Sequence, residues 1–184
     1  MSELYKPVLD EIGAVMAKVS DGDMNALCRL IDGAGHVVVY GCGREALQIK
    51  GFAMRLYHLG LNAGVAGEMT APPVGSGDVF LATCGPGELS TVLALMGEAK
   101  KAGAHCAIIT AEPKGSAALR ADSILVIPAQ TMASDQAGSL ASAMPMGSVF
   151  EGALFALFEV MAQRIQALSG VKIEEMRARH TNLE

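Results

Sequence analysis

The sequence predicts an α/β fold in which a parallel sheet is covered on both faces by helices, a three-layer α/β/α sandwich. Three observations carry this expectation. Short β-branched or apolar runs recur along the 184 residues; helical periodicity separates most of them; and each run is apolar at nearly every position rather than at alternate ones. Strands of that kind are buried on both faces, as the strands of parallel sheets are.

Taken in order, residues 4–19 place Leu4, Val8, Ile12, Val15, Met16 and Val19 at helical spacing, and Asp23 to Ile31 repeats the pattern behind an expected Asp N-cap. Residues 3–33 thus read as an opening helical pair. "HVVVYG" at 36–41 is a β-branched run ended by glycine, and Glu45 to Leu59 follows as a helix. The alternation continues with strands expected at 62–66, 78–83, 104–110 and 122–128, and with helices at 88–102 and near 115–120. Residues 129–146, "AQTMASDQAGSLASAMPM", are small, polar and Met-rich, so they read as a long connection, a kind of segment that is often functional. From Ser148 to Leu168 the chain is apolar most of the way round a helix, which needs cover on most sides and suits a subunit interface as well as a core. Residues 172–184 read as a polar helix and tail. No repeat or domain boundary interrupts residues 1–184, which read as a single domain.

Composition narrows the function. The length and the 51% hydrophobic content allow a sizeable core. Fourteen basic against 19 acidic side chains, a net charge of -5 and no basic run argue against nucleic acid or an anionic membrane surface as partner. Cys28, Cys42, Cys84 and Cys106 form no C-x-x-C pair, and the first apolar residues are interleaved with Glu3, Lys6, Asp10 and Glu11, unlike a signal peptide. A cytoplasmic protein with reduced thiols is expected. No uncharged apolar stretch approaches the roughly 20 residues that span a bilayer.

Four stretches are able to carry chemistry. "VVVYGCGRE" sets G-x-G after a strand, but Leu47 stands near the third glycine of a dinucleotide motif, and only Glu68 is available as the acidic partner. The turn reads either as tight strand-to-helix passage or as a site where Arg44 meets a polar ligand at the carboxyl edge of the sheet. "GEMTAPP" at 67–73 presents Glu68 and Thr70 near the same edge, or is simply a turn stiffened by Pro72 and Pro73. "ATCGPGELST" at 82–91 has the glycine spacing of a phosphate cradle at a helix start, yet it holds Cys84, Pro86, Glu88 and Leu89 where hydroxyls or cations would bind an anion. "MPMGSVFEGALF" puts Glu151 in the first turn of an apolar helix, where the dipole favours its charge and apolar neighbours oppose it, as suits a general base. Ser148 and Glu151 also fit an S-x-x-E capping box, which needs no catalysis. His180 lies in a solvated tail, and His36, His58 and His105 read as structural. Neither a metal-ligand cluster nor a Ser-His-Asp order is visible.

Taken together, "GCGR", "FAMRLYHLG", "GEMTAP", "PMGSVFE" and the terminal "RHTNL" resemble the 6-phospho-3-hexuloisomerases of the sugar isomerase (SIS) domain family, over nearly the whole chain. The resemblance implies a doubly wound, flavodoxin-like five-stranded sheet, a homotetramer, and aldose-ketose isomerisation without cofactor or metal at sites shared between subunits. It also implies that Glu151 moves a proton between adjacent carbons through an enediol. His180, from a neighbouring subunit's tail, would assist ring opening or proton transfer between oxygens. Arg44 and Glu68 would hold the sugar. Gly41, Gly43, Glu45, Thr70, Cys84, Gly85, Gly87 and Glu88 complete the expected ligand contacts.

The departures from that family are specific. Its first turn continues G-x-G-R-S, and Glu45 stands here in place of the Ser. Its phosphate loop resembles S-G-S-G-x-T, against Cys84, Gly85, Pro86, Gly87, Glu88 and Leu89. Three hydroxyl positions are lost, Pro86 removes a backbone donor, and Glu45 and Glu88 add negative charge near the expected phosphate. Charge-assisted hydrogen bonds contribute about 1.5–3 kcal/mol each, so the losses would cost orders of magnitude in phosphate affinity. The expectation is an isomerase acting on an unphosphorylated or atypically substituted sugar. The alternatives are the standard conversion of 3-hexulose 6-phosphate to fructose 6-phosphate, and a sugar-binding SIS domain without catalysis.

Overall fold

A computed structural model describes residues 3–135 and 142–183. The helices α1 (Lys6–Met16) and α2 (Asp21–Asp32) lead into β1 (Val37–Tyr40), α3 (Gly43–His58), β2 (Ala63–Val65), β3 (Val79–Thr83), α4 (Ser90–Lys101), β4 (His105–Thr110), α5 (Ser116–Arg120) and β5 (Ser123–Val126). A 3₁₀ turn at Pro145–Gly147 opens the 22-residue α6 (Ser148–Ser169), and α7 (Ile173–Ala178) follows. Strand bounds fall within two residues of the sequence reading. The helix after β1 begins at Gly43, two residues earlier than expected, and α2 is capped by Ser20, whose Oγ accepts the Asp23 N–H at 3.2 Å, rather than by an Asp.

All pairings are parallel, in the order β2-β1-β3-β4-β5. Successive strand residues point to opposite faces, so Val37, Val39, Leu81 and Ile109 pack into one core while Val38, Phe80, Ala82 and Ile108 pack into another. The first core is shared with α2, α3 and α6, the second with α4 and α5. Connections leave β1 in one direction along the sheet and β3 in the other; right-handed crossovers therefore place α3 and α4 on opposite faces. The strand order reverses between β1 and β3, and open sheets bind ligands in the crevice beyond the carboxyl ends of such a pair.

Buried residues of α6 run Val149, Phe150, Ala153, Leu154, Leu157, Phe158, Met161, Ala162 and Ile165, a helical stripe, and Phe158 stacks on Phe52 of α3 with ring centroids 4.5 Å apart. With its 3₁₀ turn this helix is long and apolar enough to cross a membrane, but one side of it is the core against α1, α2 and α3. Phe155, Val160 and Leu168 stay exposed on its other side.

Candidate active site at the β1/β3 crevice

Three helices begin at this edge, and none has a side-chain cap: α3 behind Cys42, α4 behind Leu89 and α6 behind Gly147. Residues at these helix starts, with Thr131, Met132 and Ala133 from the connection after β5, line a cavity of about 570 Å³. Three first turns without side-chain caps, and the positive ends of their macrodipoles, therefore face one space.

The first turn is fixed by contact with β3. A Cβ on Gly41 would lie 2.7 Å from the Thr83 hydroxyl and 3.1 Å from the Ala46 backbone, so only glycine lets the chain pass. Arg44 then projects into the cavity, and its Nε donates to Oε2 of Glu151 at 2.5 Å. Glu151 is largely sheltered, with 17% of its side chain accessible against 67% for Arg44. The capping box expected from Ser148 and Glu151 is not formed. Ser148 is already inside the helix and gives its hydroxyl to Pro145 O at 2.9 Å, which leaves the Glu151 carboxylate to Arg44. Two successive left-handed residues, Met146 at φ 58° and Gly147 at φ 71°, turn the chain into α6.

Glu45 does not project freely towards a ligand. It is 9% exposed, and both carboxylate oxygens accept the Gly85 N–H at 3.1 Å. Burial pushes its pKa up, the Gly85 amide and the nearby Thr83 hydroxyl pull it down, and the charge of Glu151 raises it again. Cys84 is wholly buried, and burial with the neighbouring Glu45 and Cys42 pushes its thiol up to about 12, far from thiolate reactivity. Cys42 and Cys84 are both free thiols, and Cys42 Sγ sits 3.2 Å from the Thr91 hydroxyl. Glu88 accepts the Ser116 hydroxyl and so leans towards the start of α5.

Of the expected site residues, the fold brings Gly43, Arg44, Glu45, Glu88 and Glu151 to the cavity, with Gly41, Cys84, Gly85 and Gly87 in the turns that shape it. Glu68 and Thr70 lie in an exposed turn outside it, Glu68 Oε1 being 3.9 Å from Lys50 Nζ. His180 stacks on His58 with ring centroids 5.3 Å apart. His58 ends α3, and a rise of about 1.5 Å per residue puts it about 20 Å along that helix from Arg44. Within one chain, His180 and Glu151 therefore belong to different places. Met132 and Phe150 also line the cavity and were not singled out by sequence; being apolar, they carry no motif. Among the described residues, no group of three or more His, Cys, Asp or Glu is placed to hold a metal ion.

A doubly wound sheet with helix starts gathered around a carboxylate-guanidinium pair defines a small-molecule site of the α/β class. The chain matches the SIS domain over residues 30–156 and belongs to that family. It is 39% identical to the 3-hexulose-6-phosphate isomerase of Mycobacterium gastri over 96% of this chain and 88% of that protein. With the enzyme of the same name from Bacillus subtilis it shares 32% identity over 100% and 98%. Its fold superposes with a TM-score of 0.85 at 24% identity, over 100% of both chains, on a Methanococcus jannaschii protein whose structure was taken to infer the molecular function of a 3-hexulose-6-phosphate isomerase. Within the SIS family, the chain stands with the isomerases.

Proposed function

We propose that this chain interconverts sugar isomers by moving a proton between adjacent carbons through an enediol, with Glu151 as the base. The observation that carries the reading is the Arg44–Glu151 pair inside the crevice. Arg44 holds one carboxylate oxygen and leaves the other for a C–H beside a carbonyl. The developing enediolate is stabilised by the guanidinium and by the uncapped helix starts. No external oxidant or reductant is needed, because one sugar carbon is oxidised as its neighbour is reduced. His180 is the expected partner for ring opening or transfer between oxygens. Its distance from Glu151 in one chain favours a homotetramer in which a neighbour's tail completes each site, with Glu68 and Thr70 meeting the sugar there.

The substrate is proposed to lack the usual 6-phosphate. The lining carries three carboxylates, Glu45, Glu88 and Glu151, against one cation, Arg44, which leaves two negative charges when all are ionised. Three helix ends at about half a positive charge each offset most of this, but nothing is left over for a phosphate of nearly two negative charges. A second reading, 3-hexulose 6-phosphate itself, is favoured by the names of the relatives that match the whole chain.

Solvent-deuterium incorporation into a panel of aldoses and ketoses, each with and without a 6-phosphate, tests the proposal. Label at C1, C2 or C3 of a neutral sugar is expected. Faster exchange in a 6-phosphate than in every neutral sugar would select the second reading. Sugar-induced thermal stabilisation with no exchange anywhere would leave a binding domain.

A further inference from the structure

We infer that Glu45 is a built-in anion that fills the anion seat of the Cys84–Glu88 loop, and that it selects a substrate whose far end is an uncharged, hydroxyl-bearing carbon. This rests on the isomerase reading above and adds the residue that decides what the site accepts.

A glycine-rich turn between a strand and a helix binds anions through its backbone N–H groups, so the question is where those groups go. From Cys84 to Gly87 none is left for a ligand. The Cys84 N–H donates to Ile109 O at 2.9 Å, continuing the sheet. The Gly85 N–H donates to both oxygens of Glu45 at 3.1 Å. Pro86 has no N–H. The Gly87 N–H turns back to Cys84 O at 2.9 Å. Four successive positions thus offer a ligand no amide, and the one amide not used by the backbone already holds a carboxylate.

The seat is also closed by shape. A Cβ on Gly85 would meet Glu45 Oε1 at 2.8 Å and the Phe150 ring at 2.9 Å, and a Cβ on Gly87 would meet Glu112 Cβ at 2.6 Å. The loop is wedged between α3, α6 and the segment after β4, and the side of Gly85 on which a Cβ would stand is taken by Glu45 and Phe150. The edge of Glu45 that still lines the cavity presents an acceptor and never a donor while ionised. Its complement is a group that donates, such as a terminal hydroxymethyl; a phosphate dianion would meet it with repulsion.

The test compares wild type with Glu45→Ser and Glu45→Gln. Deuterium exchange is measured on neutral ketohexoses and their 6-phosphates, and binding of inorganic phosphate is followed by thermal shift and calorimetry. Wild type is expected to show no stabilisation by millimolar inorganic phosphate. Glu45→Ser frees the Gly85 amide and is expected to gain phosphate binding and to raise the exchange ratio of 6-phosphate to neutral sugar by about tenfold or more. Glu45→Gln keeps the shape and removes the charge, so a smaller rise is expected; it also serves if the Ser variant fails to fold. An unchanged ratio and unchanged phosphate binding in a folded variant would overturn the inference, as would tight phosphate binding by wild type. Absence of exchange in every protein would count against the isomerase reading alone, because the phosphate-binding comparison still decides whether Glu45 fills the seat.

Discussion

The Glu45 carboxylate and the Gly85 amide, 40 residues apart, form a bond in which one N–H serves both oxygens of a buried acid at 3.1 Å. The bond ties the first turn of α3 to the loop after β3. It also holds a charge where desolvation opposes charge, which has a measurable consequence for stability.

Because burial raises the folded-state pKa of Glu45, the native state holds that proton more tightly than the unfolded chain does. Stability from this group is therefore fully present below the unfolded value of about 4.3 and is lost as pH rises through the folded value. Glu151 on α6 strengthens the effect, being the like charge nearest in influence. Glu45→Gln is expected to raise Tm at about pH 8, with the gain shrinking towards about pH 4. Calorimetry across that range checks it; a gain of constant size would show that charge is not the cause.

Replacing Glu151 by Gln removes the base while keeping the hydrogen bond from Arg44. A fall in kcat of about 10²–10⁴-fold with ligand affinity retained is expected, read by deuterium exchange and calorimetry on the same sample. Near-normal exchange would move the base elsewhere.

If each site takes Glu151 from one chain and His180 from another, two inactive variants will rescue each other. Glu151→Gln and His180→Ala proteins, each inactive alone, are expected to regain activity after being unfolded together and refolded, because some sites then contain both native residues. Mixing without subunit exchange is the control. No recovery in demonstrably mixed assemblies would argue for a site within one chain.

Gly147 is predicted to be intolerant of a side chain. It sits at φ 71°, and a Cβ there would lie 2.2 Å from the Thr131 carbonyl carbon. Left-handed backbone alone costs a non-glycine residue about 1–3 kcal/mol, and the clash adds to it. Gly147→Ala should therefore lose about 2 kcal/mol or more in urea unfolding. A loss below about 0.5 kcal/mol would mean that the turn rearranges freely.

The strands were legible in sequence because two-sided burial leaves unbroken apolar runs, "VVV" in β1 and "VFLAT" in β3. Arg44 and Glu151 were legible as chemistry, but not as a pair, since 107 residues separate them and only the sheet brings their helix starts together. Local pattern misled at Ser148, where a capping box fits the letters and the 3₁₀ turn moves Ser148 one position into the helix. Glu45 was visible as a departure from the family pattern. Its inward rotamer was not, because that depends on Gly85 lacking the Cβ that Glu45 Oε1 would meet at 2.8 Å.

The gathering of three helix starts around one cavity also bears on how such a protein changes over time. The groups that line the cavity sit on first turns and adjoining loops, while the strands and the buried stripes that hold the molecule together lie behind them. If Glu45 selects the ligand as proposed, a substitution there would alter what is accepted while the strand pairings stay as they are, so ligand preference could change within one architecture and close relatives could part company over a single side chain.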